Sequence, residues 1–210
     1  MTESAPAAPW RPSLPGWSDD ILPFYDFLAK ELPDGAQVAE IGVAWGRSLL
    51  YLAEAMHKRG KLAAKLWGVD PWPPEWDYPP EATPAAAWVF PRRPMLRTLV
   101  THATDSELER VHLVRAPSSQ AARLFAPASL DCVFIDAAHD RPSVANDCRL
   151  WAPKVKPGGI LSGHDYSEVF PGVTQAVAEF FCSRALGAKW IEHPTVHPAR
   201  GSSVWALRLQ

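Results

Sequence analysis

Glu40, Gly42, Gly46 and Asp70 stand at spacings that can build a ligand pocket, and Asp136, His139, His164 and Asp165 can bring acid, base or metal-ligand chemistry beside it. The first set lies on Val38-Ala39-Glu40-Ile41-Gly42, an apolar run broken by glycine, and Arg47-Ser48-Leu49-Leu50-Tyr51-Leu52 then takes up helical spacing. A glycine turn between strand and helix lets backbone N–H groups approach a ligand and aims a helix N-terminus at it. Gly42 and Gly46 do not complete the Gly-x-Gly-x-x-Gly pyrophosphate fingerprint, and an acidic residue precedes them. Glu40 would repel a pyrophosphate and suits a ligand with positive charge. Alone, the pattern also fits ordinary strand–turn–helix punctuation.

Asp70 narrows the choice. It ends the run Leu66-Trp67-Gly68-Val69-Asp70, at the tip of what reads as the second strand of a βαβ unit, where a carboxylate grips ribose hydroxyls. A turn aspartate ahead of Pro71 is the competing reading. Glu40, Gly42, Gly46 and Asp70 together favour a nucleoside pocket. S-adenosylmethionine, with its ammonium and sulfonium groups, is a nucleoside of the required charge.

Two further runs carry a resemblance. Asp131-Cys132-Val133-Phe134-Ile135-Asp136-Ala137-Ala138-His139 and Lys156-Pro157-Gly158-Gly159-Ile160-Leu161-Ser162-Gly163-His164-Asp165-Tyr166 look like the fourth and fifth strands, with their active-site tips, of the class I S-adenosylmethionine-dependent methyltransferases. The chain resembles that family over roughly residues 20 to 210, and most closely its small bacterial O-methyltransferases, a branch that includes metal-dependent antibiotic-sugar enzymes. The resemblance implies S-adenosylmethionine as cofactor and the hydroxyl of a sugar or natural product as acceptor. It also implies that Ser118, in Arg115-Ala116-Pro117-Ser118-Ser119, meets adenine; a helix N-cap is the equal alternative. Cofactor contacts are expected from Glu40, Gly42, Gly46, Asp70, Ser118 and Asp136.

Methyl transfer to a hydroxyl needs in-line positioning and removal of a proton, by a base or by a divalent metal that acidifies the hydroxyl. His139, His164 and Asp136 are the candidate catalytic residues. Asp136 and Asp165 match positions where the metal-dependent branch holds magnesium, and His164 stands where that branch has a further carboxylate. Asp136, His164 and Asp165 are therefore the expected metal set. Ala138, at an often acidic position, departs from the pattern. Magnesium prefers oxygen donors, whereas histidine suits manganese, iron or zinc, or acts as base itself. Asp147 falls inside a helical stretch and reads as a solvated face.

Candidate strands run over 37–41, 65–70, 111–115, 130–136, 159–163, 189–193 and 203–209, and candidate helices over 20–31, 46–59, 95–102, 118–125, 141–152 and 173–186. Their alternation predicts an α/β, Rossmann-like, doubly wound sheet of seven strands, mostly parallel, closed by a C-terminal antiparallel hairpin. Residues 19–210 are expected to form one methyltransferase domain behind a flexible Pro/Ala-rich arm at 1–18. Residues 71–94 hold eight of the 22 prolines, with Trp72, Trp76 and Trp88, and read as a lid over the acceptor or an assembly arm. His193 and His197 read as surface residues.

Composition removes other classes. The net charge is −2 and no basic run exceeds Arg92-Arg93, so the footprint of a nucleic-acid binder is missing. No apolar run approaches the roughly 20 residues of a membrane helix. The N-terminus lacks the features of a secretory signal, and three cysteines at wide spacing favour buried free thiols in a reducing cytoplasm. The expected partner is a small-molecule acceptor, with homo-oligomerisation left open. The rivals are a nicotinamide-dependent oxidoreductase, disfavoured by the incomplete fingerprint and the terminal hairpin, and a catalytically inactive cofactor-binding module.

Overall fold

The computed structural model describes residues 11, 13–16, 19–73, 95–183, 187–192 and 203–210. A seven-stranded sheet of order β3-β2-β1-β4-β5-β7-β6 organises them. Its strands are β1 (Gln37–Ile41), β2 (Lys65–Asp70), β3 (Val111–Arg115), β4 (Leu130–Ile135), β5 (Val155–Gly163), β6 (Lys189–Trp190) and β7 (Trp205–Arg208). The first five pair in parallel, and β7 runs antiparallel to both β5 and β6. This is the expected doubly wound architecture with its antiparallel closure.

Helices α1 (Leu22–Glu31), α2 (Arg47–Lys58), α3 (Met95–His102), α4 (Asp105–Leu108), α5 (Ser118–Ala121), α6 (Arg141–Trp151) and α7 (Pro171–Cys182) cover the sheet. Side chains alternate across it. Val38, Cys132, Phe134, Ile160 and Ala206 join the core beneath α1 and α2, while Ala39, Ile41, Val133, Ile135, Leu161 and Leu207 join the core on the other face with Trp151 and Val177. Leu49, Leu50, Leu52, Ala53 and Met56 give α2 a buried stripe. Each such large aliphatic side chain stabilises the fold by about 1.5–3 kcal/mol relative to exposure.

Several boundaries differ from expectation. Strand β5 begins at Val155 because Pro157-Gly158-Gly159 forms an irregular stretch within it: Leu130 pairs with Val155, yet Cys132 pairs with Ile160. Beyond Ala121 the helical stretch tightens into a 3₁₀ turn, Ala122–Leu124. Helix α4 was not expected at all. Cys132 and Cys148 are buried and burial raises both thiols to about 12, but Cys182 is exposed.

The segment before α1 is fastened where it is described. Arg47 donates to the carbonyls of Arg11 and Leu14 at 3.0 and 3.1 Å and pairs with Asp19 at 2.6 Å. Arg11 in turn binds Glu107 and Glu54. Residues 1–10, 12, 17 and 18 of the expected arm, residues 74–94 of the expected lid with Trp76 and Trp88, and His193 and His197 lie outside the described residues. Trp72, at the root of that insertion, is 3% exposed and belongs to the core. Its indole N–H donates to Ala44 O at 2.8 Å, so it anchors the glycine turn.

Candidate active site

The chain leaves β1 through a turn that only glycine fits at two points. Gly42 has φ +89°, and a Cβ there would lie 2.0 Å from the carbonyl oxygen of Asp136. Gly46 caps α2 with φ +78°, and its Cβ would overlap the Leu99 side chain. Asp70 fixes this turn from the tip of β2. Its Oδ2 accepts the N–H groups of Val43 and Ala44 at 2.9 and 3.0 Å, and its Oδ1 accepts that of Trp72 at 2.7 Å.

Glu40 lies beneath the turn. Tyr25 and Ser48 donate to its two oxygens at 2.7 and 2.6 Å. Burial pushes its carboxyl up to about 8 despite those hydrogen bonds. Neither Glu40 nor Gly46 lines the cavity above; both shape the turn that does.

That cavity has a volume of about 780 Å³ and opens across the C-terminal strand tips. Gly42, Asp70, Ser118, Asp136, His139, His164 and Asp165, all expected from the sequence, line it. Open α/β sheets take ligands at this edge, where the strand order reverses. Pro15, Gly16, Arg47, Ser143, Asn146 and Asp147 line it as well and were not anticipated.

At the β4 and β5 tips the charged residues converge. His139 Nε2 lies 2.8 Å from Asp165 Oδ2, and the His139 ring packs on Phe170 with centroids 4.6 Å apart. Asp136, His139 and Asp165 each offer a ligand atom within 4.8 Å of the others. Two carboxylates and one imidazole are donors suited to a divalent ion. His164, expected in that set, stands beside it and is also held from its other ring nitrogen. Its Nε2 lies 2.7 Å from both Asp20 Oδ2 and Ser203 Oγ, and its Nδ1 lies 3.3 Å from Asp165 and 3.7 Å from Asp136.

Electrostatics follow from this crowding. Burial opposes the His164 imidazolium, but Asp136, Asp165 and Asp20 overcome it and raise the group well above the ordinary histidine range. The hydrogen bond to Asp165 raises His139. Burial would raise Asp165, yet His139 and His164 hold its carboxyl far below the usual range. Asp165 has φ +60°, a strained conformation of the kind that clusters at functional sites.

At the β3 end, Ser118 is not a helix cap; Pro117 precedes it in that place. Its hydroxyl donates to Asp147 Oδ1 at 2.5 Å and accepts from Trp151 Nε1 at 2.8 Å. Asp147 is 5% exposed, not a solvated face residue. It sits in the stripe Val144, Asp147, Cys148, Trp151 that α6 buries, and burial raises its carboxyl. That helical spacing was the signal available in the sequence. Asp140 caps α6 by accepting the Ser143 N–H at 3.0 Å.

Residues 39–166 match the model of a family described as a methyltransferase domain. No curated protein matches the chain. An O-methyltransferase from Bacillus cereus, solved with S-adenosylhomocysteine, is 16% identical with a TM-score of 0.57, covering 93% of this chain and 84% of its own. A TDP-rhamnose 3′-O-methyltransferase of calicheamicin biosynthesis is 17% identical with a TM-score of 0.56, covering 91% and 78%. An rRNA methylase from Streptococcus thermophilus is 13% identical with a TM-score of 0.57, covering 93% and 100%. At such identities the neighbours speak for the fold, and the family match covers more than half of the sequence. The chain belongs to the S-adenosylmethionine-dependent methyltransferases.

Proposed function

We propose that the protein transfers the methyl group of S-adenosylmethionine to a hydroxyl of a small molecule, a sugar or another natural product. The observation that carries this is the convergence of Asp136, His139 and Asp165 on one face of the cofactor-sized cavity. A methyl donor needs no covalent help, so the chain has only to bind, align and deprotonate the acceptor. Gly42, Asp70, Ser118 and Asp136 would bound the cofactor, with Glu40 and Gly46 holding the turn. Asp136, His139 and Asp165 would face the acceptor, and His164 would steady the two carboxylates. Net charge −2 and the lack of a basic cluster favour a small acceptor over nucleic acid. No helix among the described residues is long and apolar enough to cross a membrane. The sugar and natural-product class rests on the likeness to the sugar O-methyltransferase above.

Asp136, His139 and Asp165 would hold a divalent metal, magnesium or manganese; when bound, such an ion lowers the pKa of the acceptor hydroxyl. A second reading has its own observation. His139 and Asp165, 2.8 Å apart, form an imidazole–carboxylate pair in which Asp165 orients His139 as base. Formation of S-adenosylhomocysteine with a panel of sugar and phenolic acceptors tests the function. Loss of turnover in chelator, restored by manganese or magnesium, supports the metal route; full turnover in chelator supports the histidine base. No binding of S-adenosylhomocysteine would overturn the whole reading.

A further inference from the structure

The cavity has two chemically different ends. The tips of β4 and β5 carry Asp136, His139, His164 and Asp165, and the tip of β3 leads into Pro117, Ser118 and Ser119. In the order β3-β2-β1-β4-β5 these ends stand four strand spacings apart, roughly 19 Å. That is room for a nucleoside laid across the tips. If the sulfonium methyl faces the charged cluster, as the proposed methyl transfer requires, the uncharged purine lies toward β3.

What polar groups meet it there? The Ser118 hydroxyl has its single proton committed to Asp147 and also accepts from Trp151, so it has no proton to offer a base. Asp147 Oδ1 receives that proton, while its Oδ2 accepts no hydrogen bond from any described residue. The neighbouring Asn146 accepts from Arg149 through Oδ1 at 2.7 Å, which leaves its two amide N–H donors unused among the described residues. Both residues line the cavity. An acceptor-only carboxylate oxygen and an amide N–H thus stand on consecutive residues of α6. Adenine presents the complement along one edge, a donor at N6 and an acceptor at N1.

We propose that Asn146 and Asp147 read the Watson–Crick edge of the cofactor's adenine, Asp147 accepting from the exocyclic amine and Asn146 donating to N1. They are specificity-determining residues for the base, held by Ser118, Trp151 and Arg149. Hypoxanthine reverses both positions, with a carbonyl at C6 and an N–H at N1. It sets acceptor against acceptor at Asp147 and donor against donor at Asn146.

The inference rests on the cofactor reading, and the experiment separates the two. Calorimetric titration of the full chain with S-adenosylhomocysteine and with S-inosylhomocysteine should give at least tenfold preference for the adenine compound, the lower end of what a matched base edge provides. Asp147→Asn can keep the Ser118 bond and turn an N–H toward position 6, so the preference should collapse to near unity or reverse. Asn146→Ala should reduce it without reversal. Equal wild-type affinities would overturn the proposal and leave the cofactor reading intact, as would an unchanged ratio in Asp147→Asn. If that variant does not fold, the wild-type ratio and Asn146→Ala decide. Failure of S-adenosylhomocysteine itself to bind would remove both readings.

Discussion

His164 Nε2 lies 2.7 Å from Asp20 Oδ2, although the two residues are 144 positions apart. Asp20 comes from the segment ahead of α1, and Ser203, just before β7, donates to the same oxygen at 2.6 Å. The cluster at the β4 and β5 tips is therefore closed by the two ends of the described chain. His164 is held by its Nε2 side, which turns Nδ1 toward Asp165 and Asp136. Without that hold, two close carboxylates would lose a cation fixed beside them.

Asp20→Ala should therefore lower methyl transfer on the order of 10- to 100-fold, the scale of an active-site misalignment, while leaving S-adenosylhomocysteine affinity within a few-fold. Steady-state rates and calorimetric titration of the same preparation check it. An equal loss of affinity and rate would mean that Asp20 supports the cofactor cavity as a whole.

Glu40 sets a pH dependence of stability. Its carboxyl is raised by burial from an ordinary 4.5 to about 8 in the folded protein. The folded state thus keeps a proton that the unfolded chain releases above about 4.5. A raised folded value contributes stability that is complete below the unfolded value and is lost as pH rises through the folded one. The wild type should lose stability between pH 5 and 8, by an amount on the order of 1 kcal/mol or more, about 2–4 °C in Tm for a chain of this size. Glu40→Gln keeps the shape and cannot ionise, so its Tm should be flatter over the same window. Parallel slopes in the two proteins would contradict this.

The sheet was legible because its signals are local. Apolar runs at 37–41, 65–70 and 111–115 became β1, β2 and β3 without change, and Asp70, Asp136 and Asp165 stand at or just beyond the ends of β2, β4 and β5. The site's side-chain partnerships were not legible, since they depend on which atoms meet. No spacing rule reports that Asp20 reaches His164, or that His139 joins Asp136 and Asp165 in one cluster. Glu40 was expected against the cofactor's charge; it lies under the turn because alternation along β1 points it at Tyr25 and Ser48. Asp147 carries a charge that suggests a solvated face, yet its helical spacing with Val144, Cys148 and Trp151 puts it in the buried stripe of α6.

Gly42→Ala tests the close approach of the first and fourth strand tips. The new Cβ would meet backbone, not a movable side chain, at 2.0 Å from Asp136 O, in a residue at φ +89°. Gly60 is the control, with φ +74° and nothing within 4 Å of its Cβ. Gly60→Ala should cost only the left-handed strain, about 1–3 kcal/mol. Gly42→Ala should cost more and also weaken S-adenosylhomocysteine, because the Asp136 tip must move. Thermal denaturation and ligand titration of both variants compare them; equal behaviour would leave the Gly42–Asp136 contact without consequence.

The composition of the metal set gives a last prediction. His139 Nε2 can approach an ion beside Asp136 and Asp165, whereas His164 is engaged by Asp20 and Ser203 and, as an imidazolium, would repel one. Manganese titrated into the cofactor-free protein and followed by electron paramagnetic resonance should bind more weakly by about 100-fold or more in His139→Ala, at or above the upper end of what loss of a supporting residue costs a metal site. His164→Ala should not weaken it. A ligand histidine must be neutral, and the hydrogen bond to Asp165 raises His139, so protons compete with the ion and affinity should fall as pH drops below neutrality. A larger loss in His164→Ala would return the ligand role to that residue. No manganese binding in the wild type would leave the proton of the acceptor to the His139–Asp165 pair.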